Sequence, residues 1–156
     1  MEKGLFEDLT VIDCASFIAG PAAATIMADF GARVIKIEPP KGGDSYRQLI
    51  NVPGMPPADH DYFWLLDNRN KQSLALDLKH PDARPVLEAL IAKADVFLTN
   101  YPAPVRERLK LRSEDILPLN ERLIYASLTP YGEDGPERDR TGYDATAWWA
   151  RSGLMD

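Results

Sequence analysis

The chain is short of what several common classes of protein are built from. It has one cysteine, Cys14, so no intrachain disulfide can form. Its apolar surroundings mark it as a buried, inert thiol. The two histidines, His60 and His80, have no partner at ligand spacing, so no metal site is expected. His80 precedes Pro81 at a helix start and reads as a surface cap. No stretch approaches the ~20 apolar residues of a membrane span, and the opening MEKGLFEDLT has no apolar run suited to a signal peptide. Positive charge is scarce too: 18 basic residues face 24 acidic ones, a net charge of −6. That excludes a general nucleic-acid binder, whose phosphate contacts need a basic face. It permits an anionic small ligand, because local cations outweigh a distant acidic surface within a Debye length of ~8 Å. The expectation is a cytoplasmic protein with no nucleic-acid or membrane partner.

Three motifs are missing as well. The first turn, SFIAGPAAAT, has the single glycine Gly20 before Pro21 and not G-x-G-x-x-G. Glu38 stands where a dinucleotide fold binds ribose, but without the glycines that match is weak. There is no Walker A sequence and no G-x-S-x-G nucleophile elbow.

What is present suits one domain with a real core: 156 residues, 45% hydrophobic and 27% charged. LTVIDCA (Leu9–Ala15) is a nearly continuous, β-branched apolar run, as in a strand covered on both faces. A helix from Pro21 to Phe30 follows, closed by Gly31. RVIKIEPP is a second strand ended by Pro39 and Pro40. Strand, helix, strand in this order is a βαβ unit with a right-handed crossover. The stretch from Lys41 to His60, with Gly42, Gly43, Gly54, Pro53, Pro56 and Pro57, reads as an irregular functional or mobile excursion. DYFWLLDNRNK is a short helix, QSLALDL a strand, HPDARPVLEALIAKA a helix and DVFLTN a buried strand. APVRERLK and SEDILPLN are short helical turns, the second capped by Ser113. LIYASLTPYG is the last strand, and YDATAWWARSGL a closing helix with Asp144 at its cap. The alternation predicts an α/β, Rossmann-like, doubly wound and mostly parallel sheet, with no repeat or linker dividing the chain.

Ligands of open α/β sheets bind outside the carboxyl ends of the strands. The loops there gather Lys41, Arg47, Lys79, Arg108, Arg138 and Arg140, with Asn100 and Tyr101 adding polar and aromatic groups. The helix N-terminus in AGPAAAT adds free N–H groups. Two readings follow: a site for a phosphorylated, adenine-bearing ligand, or solvated loop charges without a ligand.

The ordered strings decide further than the pattern. GLFEDLTVIDCASFIAGPAAATIMADFGARVIKIEPPKGGDSYR closely resembles the opening of family III CoA-transferases, a family that also includes α-methylacyl-CoA racemase. The likeness continues through NRNKQSLALDLKHPDAR, ADVFLTNYPAPVRERL, YASLTPYGEDGP and GYDATAWWARSGL. It implies that residues 1–156 are the N-terminal part of the CoA-binding, Rossmann-like large domain. The small domain and a returning C-terminal segment would lie outside the chain. It also implies CoA or acyl-CoA as substrate with a carboxylic acid as acceptor, no prosthetic group, and an interlocked homodimer for the full-length relative.

The CoA contacts the resemblance implies are Phe17, Ile18 and Ala19 in the first loop, Leu76 and Lys79 after the third strand, and Asn100, Tyr101 and Arg108 after the fourth. Tyr143 would border the thioester. At residue 39 several relatives place an arginine against the adenine; here it is Pro39, with Lys41 as the candidate replacement. The racemases carry a catalytic histidine at the position of Tyr143, and a phenol of ordinary pKa ~10 is a poor α-proton base at neutral pH. The nucleophilic aspartate of the transferases is expected in a glycine-rich segment beyond the helix holding Trp148 and Trp149, so no catalytic residue is assigned in this chain. The alternatives are a racemase-like enzyme and a truncated CoA-binding module without catalysis. Trp148 and Trp149 themselves read as packing residues.

Overall fold

Runs of β-branched and aromatic residues, each bounded by a helix-forming or proline-rich segment, become the strands of one sheet. A computed structural model describes residues 4–155. Its strands are β1 (Thr10–Cys14), β2 (Arg33–Glu38), β3 (Lys71–Ala75), β4 (Val96–Thr99) and β5 (Ile124–Ser127). All neighbours pair in parallel, in the order β3-β2-β1-β4-β5. The Rossmann-like parallel sheet expected from the sequence is what the chain forms.

Both faces of the sheet are covered, as parallel sheets require. On one, Val11, Val34, Val96 and Leu98 pack against Ala24 and Ala28 of α1 (Ala19–Asp29). α2 (Tyr62–Asn68) lies beside α1, tied to it by the Thr25 hydroxyl donating to the Asp67 carbonyl at 2.5 Å. On the other, Ile12, Ile35, Ile37 and Phe97 meet Leu87 and Ile91 of α3 (Ala83–Ile91). α4 (Ala103–Leu109) and α5 (Ser113–Ile116) complete that layer through Leu109 and Ile116. Successive strand residues alternate faces. That puts Asp13 and Lys36 on the α1 face, in register with each other across β1 and β2.

The chain order reverses direction at β1: β2 and β3 extend to one side, β4 and β5 to the other. The loops after β1 and β4 therefore flank a topological switch point, where open α/β sheets form their binding crevice. Gly20 makes the first of these loops possible. A Cβ there would lie 2.4 Å from the Ala15 Cβ, so only glycine lets α1 begin this close to the end of β1.

Several local readings need correction. α1 begins at Ala19, ahead of Pro21, and Gly31 at φ 104° closes it. β3 ends at Ala75; the Leu76 N–H still donates to the Glu38 carbonyl at 2.8 Å, and Leu76–Leu78 form a wall of a cleft. β5 ends at Ser127; the Leu128 N–H makes one more bond, to the Thr99 carbonyl at 2.9 Å. Ser113 is the first residue of α5 and not its cap: Arg112 precedes it, its N–H donating to the Asp115 carboxylate at 3.2 Å. The closing segment is a single π-helical turn, Ala145–Ala150, and Asp144 makes no side-chain cap bond. Thr146 Oγ1 instead accepts the Tyr143 N–H at 3.0 Å. Trp148 and Trp149, expected to pack, remain 62% and 45% exposed and so are not buried among the described residues. His80 does cap locally: its Nδ1 accepts the Asp82 N–H at 3.2 Å.

Gly20→Ala should destabilise the fold by about 1–3 kcal/mol, because the forced separation of α1 from β1 outweighs the gain in helix propensity. Urea unfolding monitored by circular dichroism checks this. An unchanged midpoint would mean that the helix start is not closely packed.

Candidate functional site

A cleft of about 230 Å³ opens at the carboxyl end of the sheet between the ends of β2 and β3 and the helix α4. Glu38 and Pro39 form one side, Leu76 to Lys79 another, and Tyr101, Val105, Arg108 and Leu109 the third. It continues into a second, more open depression of about 610 Å³ along Lys79, His80, Arg84, Arg108 and Lys110. Lys79 and Arg108 border both. Neither side chain pairs with a carboxylate among the described residues. Arg84 is committed elsewhere, to Glu88 at 2.6 Å and to the Lys110 carbonyl at 2.6 Å. The groove is therefore apolar where Leu76, Tyr101 and Val105 line it and cationic where Lys79 and Arg108 meet. A phosphorylated ligand with an apolar portion needs that combination.

A second group of expected residues gathers at the switch point. Asn100, just after β4, exchanges two hydrogen bonds with Ser16 just after β1: the Ser16 N–H donates to its Oδ1 at 2.8 Å, and its Nδ2 donates to the Ser16 carbonyl at 2.7 Å. Both halves of the Asn100 amide are thereby occupied, and the residue staples the two loops together. Phe17 follows with φ 69°, a left-handed conformation rare for a bulky residue. Its ring lies 5.2 Å from that of Tyr46 and 5.6 Å from that of Tyr143, centroid to centroid. Ile18 and Ala19 are exposed at the start of α1. Leu76, Lys79, Tyr101 and Arg108 thus share one cleft, while Phe17, Ile18, Ala19, Asn100 and Tyr143 cluster beside it. The adjacent residues Asn100 and Tyr101 join the two groups.

Under the first loop runs a buried network that the strand patterns concealed. Lys36 Nζ pairs with Asp44 Oδ2 at 2.9 Å, donates to the Ala15 carbonyl at 2.5 Å and lies 3.8 Å from Asp13 Oδ1. Lys71 Nζ pairs with Asp13 Oδ2 at 2.9 Å and donates to the carbonyls of Pro21 and Asp67 at 2.7 and 2.9 Å. Burial lowers the Lys71 pKa, against the pull of Asp13. For Asp44, burial raises the pKa, but Lys36 and the N–H groups of Tyr46 and Phe17 outweigh it and hold the carboxyl below its usual range.

Glu38 is saturated by four donors: Arg47 Nε and Nη2 at 2.8 Å each, the Ser73 hydroxyl at 2.7 Å and the Asp44 N–H at 3.0 Å. Burial pushes its pKa up, but these bonds prevail and hold it at about 2. Its carboxylate has no lone pair left for a ribose, and the dinucleotide reading loses its one matching residue. Arg47 also lies 3.5 Å over the Trp64 ring, so it is a bracket and not a free cation. Arg138 and Arg140 are likewise engaged, by Asp139 and Glu137. Lys41 does not line the cleft, whose wall at this point is Pro39 itself. Cys14 is fully buried, its thiol pushed up to about 12 by burial, with Asp13 reinforcing the shift. Arg106, unremarked in the sequence, is buried and pairs with Glu133 at 2.7 Å, tying α4 to the loop after β5. Only its position beside Arg108 in VRER could have drawn attention to it.

Comparison with known proteins identifies the family. A model of "CoA-transferase family III" matches residues 6–156. The chain is 38% identical over 151 residues to a cinnamoyl-CoA:phenyllactate CoA-transferase of Clostridium sporogenes, covering 96% of this chain and 36% of that protein. It is 39% identical over 153 residues to an acetyl-CoA:oxalate CoA-transferase of Acetobacter aceti, covering 98% and 38%. A crystal structure of a CaiB/BaiF family protein from Brucella suis superposes with TM-score 0.86 at 30% identity, over 99% of this chain and 41% of that one. The protein Rv3272 of Mycobacterium tuberculosis superposes with TM-score 0.85 at 37% identity, over 97% and 41%. The chain thus spans well under half the length of the relatives it matches.

Because the Glu38 carboxyl is held at about 2, below the ordinary 4.5 of a free glutamate, the stability it adds is fully present above pH 4.5 and is lost as pH falls toward 2. Glu38→Gln should be less stable at neutral pH and should show a flatter loss of stability across that window. Parallel acid-unfolding curves for the two proteins would reveal a Glu38 that carries no such linkage.

Proposed function

Because this chain belongs to CoA-transferase family III, we propose that it supplies the CoA-binding part of an enzyme that moves CoA from an acyl-CoA thioester to a free carboxylic acid. The observation that carries the proposal is the cleft at the carboxyl end of the sheet in which Lys79 and Arg108, with no carboxylate partner among the described residues, meet Leu76 and Tyr101. CoA is a polyanion at its adenosine end and a thin, largely apolar arm beyond it. Lys79 offers a mobile point charge and Arg108 a planar fork to the phosphates. Leu76 and Tyr101 give apolar surface to the adenosine and the start of the arm. From Tyr101 the arm runs past Asn100 to the first loop, where Phe17, Ile18 and Ala19 flank the thioester and Tyr143 borders it.

Residues 1–156 are on this reading the N-terminal part of the large domain. The small domain and the returning segment of the full enzyme follow, and two such chains form an interlocked homodimer in the cytoplasm. The chemistry is nucleophilic: an aspartate carboxylate beyond the π-helical turn attacks the thioester carbonyl, the C–S bond breaks and CoA thiolate leaves, and an acyl-aspartyl anhydride forms. The residues of this chain then bind, orient and shield; they do not form the adduct. Tyr143 offers a phenol where racemization would need a base that works near neutral pH.

Isothermal titration of the chain with CoA tests the binding role. Arg108→Ala should weaken CoA by about 1–3 kcal/mol through loss of a charge-assisted phosphate contact, and Lys79→Ala should act in the same direction. Unchanged affinity in both variants would remove the cleft from the CoA site.

A further inference from the structure

One carboxylate outside the cleft converges on the first loop from an unusual number of directions. Asp44 is 4% exposed and stands at the head of the 3-10 turn Ser45–Asn51. Its Oδ1 accepts the Phe17 N–H at 3.1 Å, the Ser16 hydroxyl at 2.9 Å and the Tyr46 N–H at 3.0 Å. Its Oδ2 faces the ammonium of Lys36, itself 1% exposed. Its own N–H donates to Glu38. A neutral acceptor could take the N–H and O–H bonds, but only a carboxylate also neutralises a buried lysine.

Phe17 needs such a hold. A bulky residue persists in the left-handed region only where its surroundings impose the conformation. Asp44 acts on it twice, by fixing its backbone N–H and by fixing the backbone of Tyr46, whose ring lies edge-on to the Phe17 ring. The far end of the Tyr46 ring is anchored as well, its hydroxyl donating to Asp67 at 2.6 Å. Phe17, Asp44, Tyr46 and Asp67 do not line the cationic cleft; of the groups bonded to Asp44 only Glu38, already saturated by its donors, borders it.

We propose that Asp44, backed by Lys36, is a positioning residue for the thioester end of the site: it holds Ser16 and Phe17 in the bend against which the pantetheine arm and acyl group rest. The inference builds on the CoA reading above and assigns Asp44 no contact with the ligand. It divides the site into a phosphate end, set by Lys79 and Arg108, and a thioester end, set through Phe17 by a buried ion pair.

The test compares two probes, acetyl-CoA and the adenosine bisphosphate fragment of CoA, by titration calorimetry. Asp44→Ala alone leaves the buried Lys36 ammonium with only its longer, 3.8 Å contact to an Asp13 already paired with Lys71, so the informative variant is Lys36→Met with Asp44→Ala, which removes both charges together. It should weaken acetyl-CoA by about tenfold while the fragment binds as before, and Lys36→Met with Asp44→Asn, which restores an oxygen acceptor for the Phe17 N–H, should recover most of the loss. Should the alanine pair fail to fold, Ser16→Ala, which removes one donor to Asp44, reads the same ratio. Equal loss of both probes, or no loss of acetyl-CoA in a folded variant, overturns the positioning role and leaves the cleft assignment standing. Failure of the wild-type chain to bind either probe overturns the CoA reading itself.

Discussion

The structure depends on a buried alternation of charge: Lys71 to Asp13, Asp13 to Lys36, Lys36 to Asp44. Its members sit on the α1 face of a parallel sheet, where water cannot solvate them. Removing one partner of such a pair typically costs about 3–5 kcal/mol, because the other is left buried and uncompensated. Replacing the whole set by apolar residues would cost less. The network is therefore better understood as a means of fixing geometry than as a source of net stability. Each member reaches a backbone carbonyl or N–H outside the strands: Lys36 and Asp13 at Ala15 after β1, Lys71 at Pro21 in α1 and Asp67 in α2, and Asp44 at Phe17 in the first loop.

That arrangement explains how a −6 chain can present a cationic groove. Most cations near the strand ends are consumed internally: Lys36, Lys71, Arg47 and Arg106 each answer a buried or half-buried carboxylate. Lys79 and Arg108 are left with no carboxylate among the described residues, on opposite walls of one cleft. Local availability of charge, and not net charge, sets what such a site attracts.

Much of the fold was legible in the sequence because its signals are local and redundant. Continuous β-branched runs in VIDC and VFLT, the proline–glycine bracket around α1 and the strand–helix alternation all point to a covered parallel sheet. Lys79, Tyr101 and Arg108 were accessible as members of the segments that follow strands, whereas Leu76 was read as part of a strand and entered only through the family resemblance. The ion network was not. Asp13 and Lys36 were read as ordinary members of apolar strands, although a charge in a strand buried on both faces must have a partner, and that rule could have paired them. The resemblance implied Asn100 as a ligand contact, and no local signal showed that its amide also bonds both backbone groups of Ser16. The last strand and the final turn ran shorter than their patterns. Their ends are set by tertiary hydrogen bonds such as Leu128 to Thr99, which no local period records.

The central claim is spatial: one extended anionic thioester lies along the strand ends, phosphates at Lys79 and Arg108 and thioester at Phe17. A crystal structure of the chain with bound CoA tests it most directly. The account predicts phosphate oxygens within hydrogen-bond reach of both cations and the thiol beside the Phe17 and Tyr143 rings. CoA seated elsewhere on the sheet, or lying in the cleft with its thiol directed away from the first loop, would contradict it.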